Sequence, residues 1–307
     1  MTDWRAEDFT GIRGILTNAE SLSRHTWLGV GGPADLYFEP ADEADLAAFL
    51  SQADSNMPLL LLGAGSNMLV RDGGVEGCVI HLGDAFSAIT QDGDSIIAGA
   101  GVTDAALARA AGKWGRGGLS FLVSIPGTIG GGLRMNAGCY GSEFKDVVQS
   151  ARIMLRDGTI VERTPAEMGM SYRHSDVEAD AIFLSARFHT TAQSVEACKA
   201  EMKEMLQKRA ETQPQGVRTG GSTFANPEGD NAWRVIDAAG GRGLQVGGAH
   251  MSEKHCNFMI NSGTASARDL EELGEEIRRR VVAHSGISLR WEIKLCGRAM
   301  MKETKHA

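Results

Sequence analysis

Three polar residues in separate short motifs have the chemistry of an acid–base or anion-handling site: Ser222 in "GGSTFANP", Arg173 in "MSYRHSD" and Glu292 in "GISLRWEIKLC". Gly220 and Gly221 free the backbone before Ser222, and Pro227 bars a helix from running through Asn226, so the serine is presented on a turn. G-x-S-x-G is absent and no His and Asp stand out as triad partners, which argues against a nucleophile. A hydroxyl so placed can deliver a proton if a neighbour makes the alkoxide tolerable; the plainer alternative is a serine that caps the turn. Arg173 suits either a bidentate carboxylate clamp or a surface ion pair. Glu292 sits between Arg290 and Lys294 on one face of an alternating segment, an arrangement that also fits a solvated ladder.

Glycine is the compositional anomaly. There are 39 in 307 residues, well above the usual share of roughly 7%, and they gather where backbone must come close to something. In "LLGAGSNMLV", Gly63, Ala64, Gly65, Ser66 and Asn67 follow an apolar run. Met68 stands where a dinucleotide fingerprint has its third glycine, so alone the segment reads as a tight structural turn, with an anion-holding loop as the alternative. "SFLVSIPGTIGGGLRMNAGCYG" says more: serines, glycines, Pro126 and Asn136 with Arg134 as its one charge. Its composition predicts no regular helix or strand along its length. Phosphates lying along a wall of backbone donors explain it; an irregular core loop is the alternative.

The elements that position these motifs follow from periodicity. "PLLLLGAGSN", "GCVIHLG", "SIIAGAG" and "DAIFLSARFHT" read as buried strands. Asp157-Gly158 marks a hairpin, and Thr164-Pro165-Ala166-Glu167 predicts a capped short helix. Helices are expected in "VTDAALARAAGKWGRGG", from about Ser194 to Arg209, in "NAWRVIDAAGG" and in "SARDLEELGEEIRRRVVAHSG". The 194–209 helix is polar and amphipathic, suited to linking two domains. "ISLRWEIKL" alternates strictly and predicts a strand with Ile287, Leu289, Trp291, Ile293 and Leu295 facing a core. Character changes near residue 190, from strands and glycine turns to long helical patterns.

The length suggests about two domains. A net charge of −8 argues against nucleic acid as a partner. Five scattered cysteines without a C-x-x-C pair read as reduced cytoplasmic thiols and not as a metal site. The first residues, "MTDWRAEDFTGIRGILTNAE", contain no targeting signal, and no segment suggests membrane insertion.

Seven motifs in order, "HTWLGVGGPAD", "LLGAGSNMLV", "SIPGTIGGGLRMNAGCYG", "SYRHS", "GGSTFANP", "GGAHMSEKHCNFMIN" and "LRWEIKLCG", cover roughly residues 20 to 297. Together they resemble the UDP-N-acetylenolpyruvoylglucosamine reductases of bacterial peptidoglycan synthesis. The resemblance implies an α+β chain. Residues 1–192 would form a two-lobed FAD-binding domain of the vanillyl-alcohol oxidase / p-cresol methylhydroxylase type, its lobes dividing near 75–80. Residues 193–307 would form a smaller α+β substrate-binding domain whose C-terminal strand can pack back on the first lobe.

By the same resemblance, NADPH reduces FAD, and flavin N5 passes hydride to the enolpyruvyl ether of a UDP-sugar nucleotide, giving UDP-N-acetylmuramate. Ser222 donates the proton, while Arg173 and Glu292 hold or polarise the substrate carboxylate, for which Glu292 must be protonated. Gly63, Ala64, Gly65, Ser66, Asn67, Ser124, Ile125, Pro126, Gly127, Gly130, Asn136, Ala137 and Gly138 would line FAD. Tyr172, Asn226, Lys254 and His255 would face the sugar nucleotide. Thr212 and Ala225 stand where many members carry lysines, which leaves the diphosphate to Lys208, Arg209, Arg218 or Arg242. The chain resembles the shorter subclass, without the extra tyrosine-bearing loop. Rival readings are a flavin oxidase, whose flavin Cys139 would tether, and a silent flavin carrier.

Overall fold

The computed structural model describes residues 4–300. Its contacts group the chain into two compact units, each assembled from three stretches: residues up to 18, 36–64 and 77–211 in one, and 19–35, 65–76 and 212 onward in the other. Seven α-helices run among the described residues: α1 (Glu43–Gln52), α2 (Asp104–Lys113), α3 (Ile129–Met135), α4 (Phe144–Val147), α5 (Val195–Thr212), α6 (Ala232–Ala238) and α7 (Ala267–Ser285). None is long and apolar enough to cross a membrane.

In the first unit the expected buried runs pair as strands. Leu59–Leu62 lies parallel to Val75–His81, with Leu59 opposite Cys78. An antiparallel five-stranded sheet takes the order Ile160–Arg163, Val148–Met154, Ile182–His189, Ser95–Gly99, Ile89–Asp92. The Asp157-Gly158 turn closes the first pair, placing Met154 opposite Ile160. Helix α2 starts at Thr103, whose hydroxyl accepts the Ala106 N–H, and buries Leu107, Ala108 and Ala111 in a core with Leu122, Ile129, Leu133, Phe144 and Phe188. Helix α5 sends Cys198 and Met202 into the same core.

In the second unit, Arg218–Ser222, Phe258–Asn261, Ala249–Met251 and Gln245–Val246 form an antiparallel sheet in that order. Helix α7 covers it with Leu270, Leu273, Ile277 and Val281, all fully buried. Asp72 accepts the N–H groups of Ala267 and Arg268 at 3.0 Å each, and Arg71 grips Glu271 with two 2.8 Å hydrogen bonds. Residues 65–76 are thereby tied to the first turns of that helix, where a carboxylate also complements the dipole.

Three expectations need correction. The capping box at Thr164 forms, with Glu167 accepting the Thr164 N–H at 2.8 Å, but only a turn follows because Gly169 goes left-handed (φ +55°). The glycine-rich 120–141 segment does contain a regular element, α3. Its glycines serve close packing: a side chain on Gly132 would fall within the Phe144 ring. The alternating C-terminal run buries Leu289 and Ile293 as expected, yet only Lys294–Cys296 is a strand, parallel to Met68–Val70. Before it, the backbone bonds to irregular segments instead of a neighbouring strand.

Gly132→Ala should force the Phe144 ring aside and cost about 1–3 kcal/mol, the usual range for overpacking. Urea unfolding should show a lower midpoint at unchanged slope.

Candidate active site and cofactor cradle

In the first unit the two glycine-rich motifs meet. A Cβ on Gly63 would lie 2.6 Å from the Thr128 hydroxyl oxygen, and one on Gly127 would lie 2.6 Å from Asp104 Oδ2. In both places a Cβ would collide with a neighbouring side chain, so the segments pack together through bare backbone. A Cβ on Gly65, in the second unit, would come closer still to the His25 carbonyl oxygen. Such surfaces let a phosphate-bearing ligand reach main-chain N–H groups, so these residues fit a dinucleotide cofactor. Ala64 and Ser66 share the first turn; Ser124, Ile125, Pro126 and Gly130 share the second region, with Gly130 packed on Ala100.

Asn136 does something the sequence did not reveal. It caps α3 in a left-handed conformation (φ +40°) and is fully buried. Its amide nitrogen donates to Glu143 Oε2 at 3.0 Å and to the Ser171 carbonyl at 2.9 Å, and its oxygen accepts the Lys145 N–H at 2.9 Å. The side chain is therefore committed to protein partners, joining the end of the glycine-rich segment, with Ala137 and Gly138, to the Ser171–His174 turn.

That turn carries Tyr172 and Arg173. Ser171 and His174 exchange backbone hydrogen bonds at 3.0 and 3.1 Å, and Arg173 occupies φ +56°. Its guanidinium lies 5.0 Å from the centroid of the exposed Tyr172 ring and donates to the Gly138 carbonyl at 3.1 Å. Among the described residues, three of the four non-glycine residues with positive φ are Asn136, Tyr140 and Arg173. Backbone strain concentrates at sites where geometry matters more than comfort.

The second unit brings Ser222 and Glu292 together across seventy positions of sequence. Ser222 ends its strand at a register irregularity, half-buried, and among the described residues its hydroxyl enters no side-chain hydrogen bond. The next residue, Thr223, accepts the Glu292 N–H at 2.9 Å through its carbonyl. Phe224 exchanges 3.0 and 2.9 Å hydrogen bonds with the Asn257 side chain and packs on Trp291, ring centroids 4.9 Å apart. Asn67 serves the same strand: its amide donates to the Glu292 carbonyl at 3.2 Å, and its own carbonyl accepts the Lys294 N–H at 2.9 Å. Asn226 accepts the Ala232 N–H at 3.0 Å at the start of α6.

Lys254 is exposed, and the backbone N–H groups of Lys254 and His255 donate to the buried Ser252 hydroxyl at 3.1 and 3.2 Å. His255 meets Phe258 edge-on at 4.7 Å, and burial lowers its pKa from the ordinary histidine range. Among the four cations considered for a diphosphate, Lys208 pairs with Glu204 and Arg242 with Asp237. Arg218 is exposed, its aliphatic chain against Gly29. Arg209 is half-buried, donates to the Ser124 carbonyl and makes no ion pair among the described residues. Burial lowers its pKa, which marks a guanidinium short of a counter-charge. No described group of three or more His, Cys, Asp or Glu side chains is placed to hold a metal.

Asn136→Ala should leave buried donors and acceptors unmet and cost about 2–4 kcal/mol. It should also free the Ser171–His174 turn, read as faster amide hydrogen exchange there than in the distant 148–154 strand.

Comparisons with known proteins give the family. Residues 213–296 match the C-terminal domain family of UDP-N-acetylenolpyruvoylglucosamine reductase, and residues 34–164 match an FAD binding domain family. The chain is 52% identical over 287 residues to the UDP-N-acetylenolpyruvoylglucosamine reductase of Methylorubrum populi, covering 93% of each chain. It is 50% identical over 296 residues to that of Paramagnetospirillum magneticum, covering 96% of each. The crystal structure of the Thermus caldophilus reductase superposes with a TM-score of 0.80 at 33% identity, covering 92% of this chain and 98% of that one. The fold class is the expected α+β, with an FAD-binding domain. The chain belongs to the UDP-N-acetylenolpyruvoylglucosamine reductase family and is an FAD-dependent oxidoreductase.

Proposed function

We propose that the protein uses NADPH to reduce the enolpyruvyl ether of a UDP-N-acetylglucosamine derivative to UDP-N-acetylmuramate, a step of peptidoglycan synthesis, in the cytoplasm. Five free thiols are compatible with that compartment. FAD, when bound, would supply the hydride chemistry that links NADPH to the enol ether. We assign residues 1–192 to the FAD domain and 193–307 to the substrate domain.

The protein's own residues do the remainder. Gly63 to Asn67, Ser124 to Gly127, Gly130 and Asn136 to Gly138 hold the cofactor, the two asparagines by fixing the backbone around them. Arg173 and Glu292 engage the substrate carboxylate, so that negative charge developing beside it is stabilised. Ser222 gives its proton to the carbon next to the one that has received hydride. Tyr172, Asn226, Lys254 and His255 face the sugar nucleotide. Arg209, with its unmet charge, is the best-suited of the four cations for a phosphate.

The observation that supports this reading is the backbone hydrogen bond from the Glu292 N–H to the Thr223 carbonyl, which brings the backbone of Glu292 to the residue after Ser222. A turn-capping serine would spend its oxygen on the backbone. The tethered-oxidase alternative loses ground at Cys139, whose thiol lies 3.4 Å from the Phe121 carbonyl and 3.3 Å from Ser124 Oγ. Burial pushes that thiol up, away from the thiolate that attachment needs.

Ser222→Ala should leave flavin reduction by NADPH intact and slow reoxidation by the enolpyruvyl substrate by about 10²–10⁴-fold, the range for a lost general acid. Stopped-flow absorbance of the two half-reactions reads both rates. Equal losses in the two would remove the proton-donor role.

A further inference from the structure

One buried acid has no part in this chemistry. Asp104 opens α2, is wholly buried, and neither of its carboxyl oxygens has a hydrogen-bond partner among the described residues. Buried polar atoms are satisfied in the great majority of cases, so a carboxyl with both oxygens orphaned asks for an explanation. Its surroundings supply one. The Asp104 N–H donates to the Gly127 carbonyl at 3.1 Å, and Thr103 forms a bridge with Thr128. Oδ2 occupies the space where a Gly127 side chain would begin, 2.6 Å from that Cβ position.

We propose that Asp104 is a positioning residue of the cofactor site: an uncharged carboxylic acid lodged beneath Gly127 that holds the Ile125–Thr128 turn in the shape FAD requires. The inference rests on the assignment of that turn to FAD. A carboxylate buried this deeply with no donor among the described residues is disfavoured, which favours the protonated acid. Burial, its one cause of shift, pushes the group well above the usual carboxylate range. The titratable group coupled to it is the Cys139 thiol, on which Arg209 and Arg173 also act.

The sign of the pH effect follows. The folded chain holds a proton that the unfolded chain gives up near pH 4, so stability falls as pH rises above that point toward the raised folded value. Once Asp104 ionises in the folded protein, an uncompensated charge lies under the turn, which must shift and loosen its hold on FAD.

The test is FAD binding to the deflavinated protein, followed by flavin fluorescence from about pH 6 to about pH 10, a span above the ordinary carboxylate range. Gly127→Ala should weaken binding about tenfold or more, by driving its methyl group onto Asp104; Asp104→Ala should also weaken it, and the double variant should lose clearly less than the two losses added together, since contacting residues couple. Asp104→Asn, uncharged at every pH, should bind FAD within about threefold of the parent near neutrality. It should also lack the parent's alkaline weakening. Additive losses for the Gly127 and Asp104 substitutions, or an unchanged alkaline limb in Asp104→Asn, would overturn the role of Asp104. Should Asp104→Asn fail to give a native circular dichroism spectrum, the Gly127 pair still decides. A Gly127→Ala protein that binds FAD like the parent overturns the assignment of the turn itself.

Discussion

The carboxamide of Asn136 is the constraint on which the first unit's site depends. With no exposure to solvent, it spends both donor hydrogens and its acceptor on three separate pieces of chain: Glu143, the Lys145 backbone and the Ser171 carbonyl. A fully satisfied buried network is stiff, because any displacement would leave a polar group without either water or partner. That stiffness passes to the left-handed cap of α3 and to the strained turn that aims Arg173. The Gly138 carbonyl, two residues beyond Asn136, then accepts from the Arg173 guanidinium itself.

Around this junction, glycine acts by the atoms it lacks. Gly63 against Thr128, Gly127 against Asp104 and Gly132 against Phe144 are places where a single added carbon collides with a neighbour. The three contacts have different consequences. The first two bring the glycine-rich segments against Thr128 and Asp104, whereas the third seats a short helix on an aromatic core residue. Composition alone cannot separate these uses, since both demand the smallest side chain.

The second unit solves its positioning problem with backbone. Ser222 closes a strand and Glu292 sits on an irregular stretch, and Thr223, Asn257, Asn67 and Arg290 pin the backbone between and around them through hydrogen bonds, while Phe224 and Trp291 close the apolar side. Irregular backbone can be as well defined as a strand when each of its polar groups has a partner. This is why the alternating run before Lys294 keeps its buried and exposed sides without a continuous ladder.

Much was legible from the amino-acid order. Apolar runs between glycine turns announced the strands, helical patterns announced α2, α5, α6 and α7, and seven motifs in order identified the family. These signals are local, set by side-chain period, turn chemistry and residue type over a few positions. The capped turn at Thr164 misled because a capping box can form and still be ended by a glycine one turn later. The remainder depended on proximity between distant residues. Only packing joined residues 19–35 and 65–76 with those from 212 onward, committed the Asn136 amide to three partners, and buried both oxygens of Asp104. A sequence carries the types of atoms available for such contacts, but which of them share one small volume is decided by how the cores close around them.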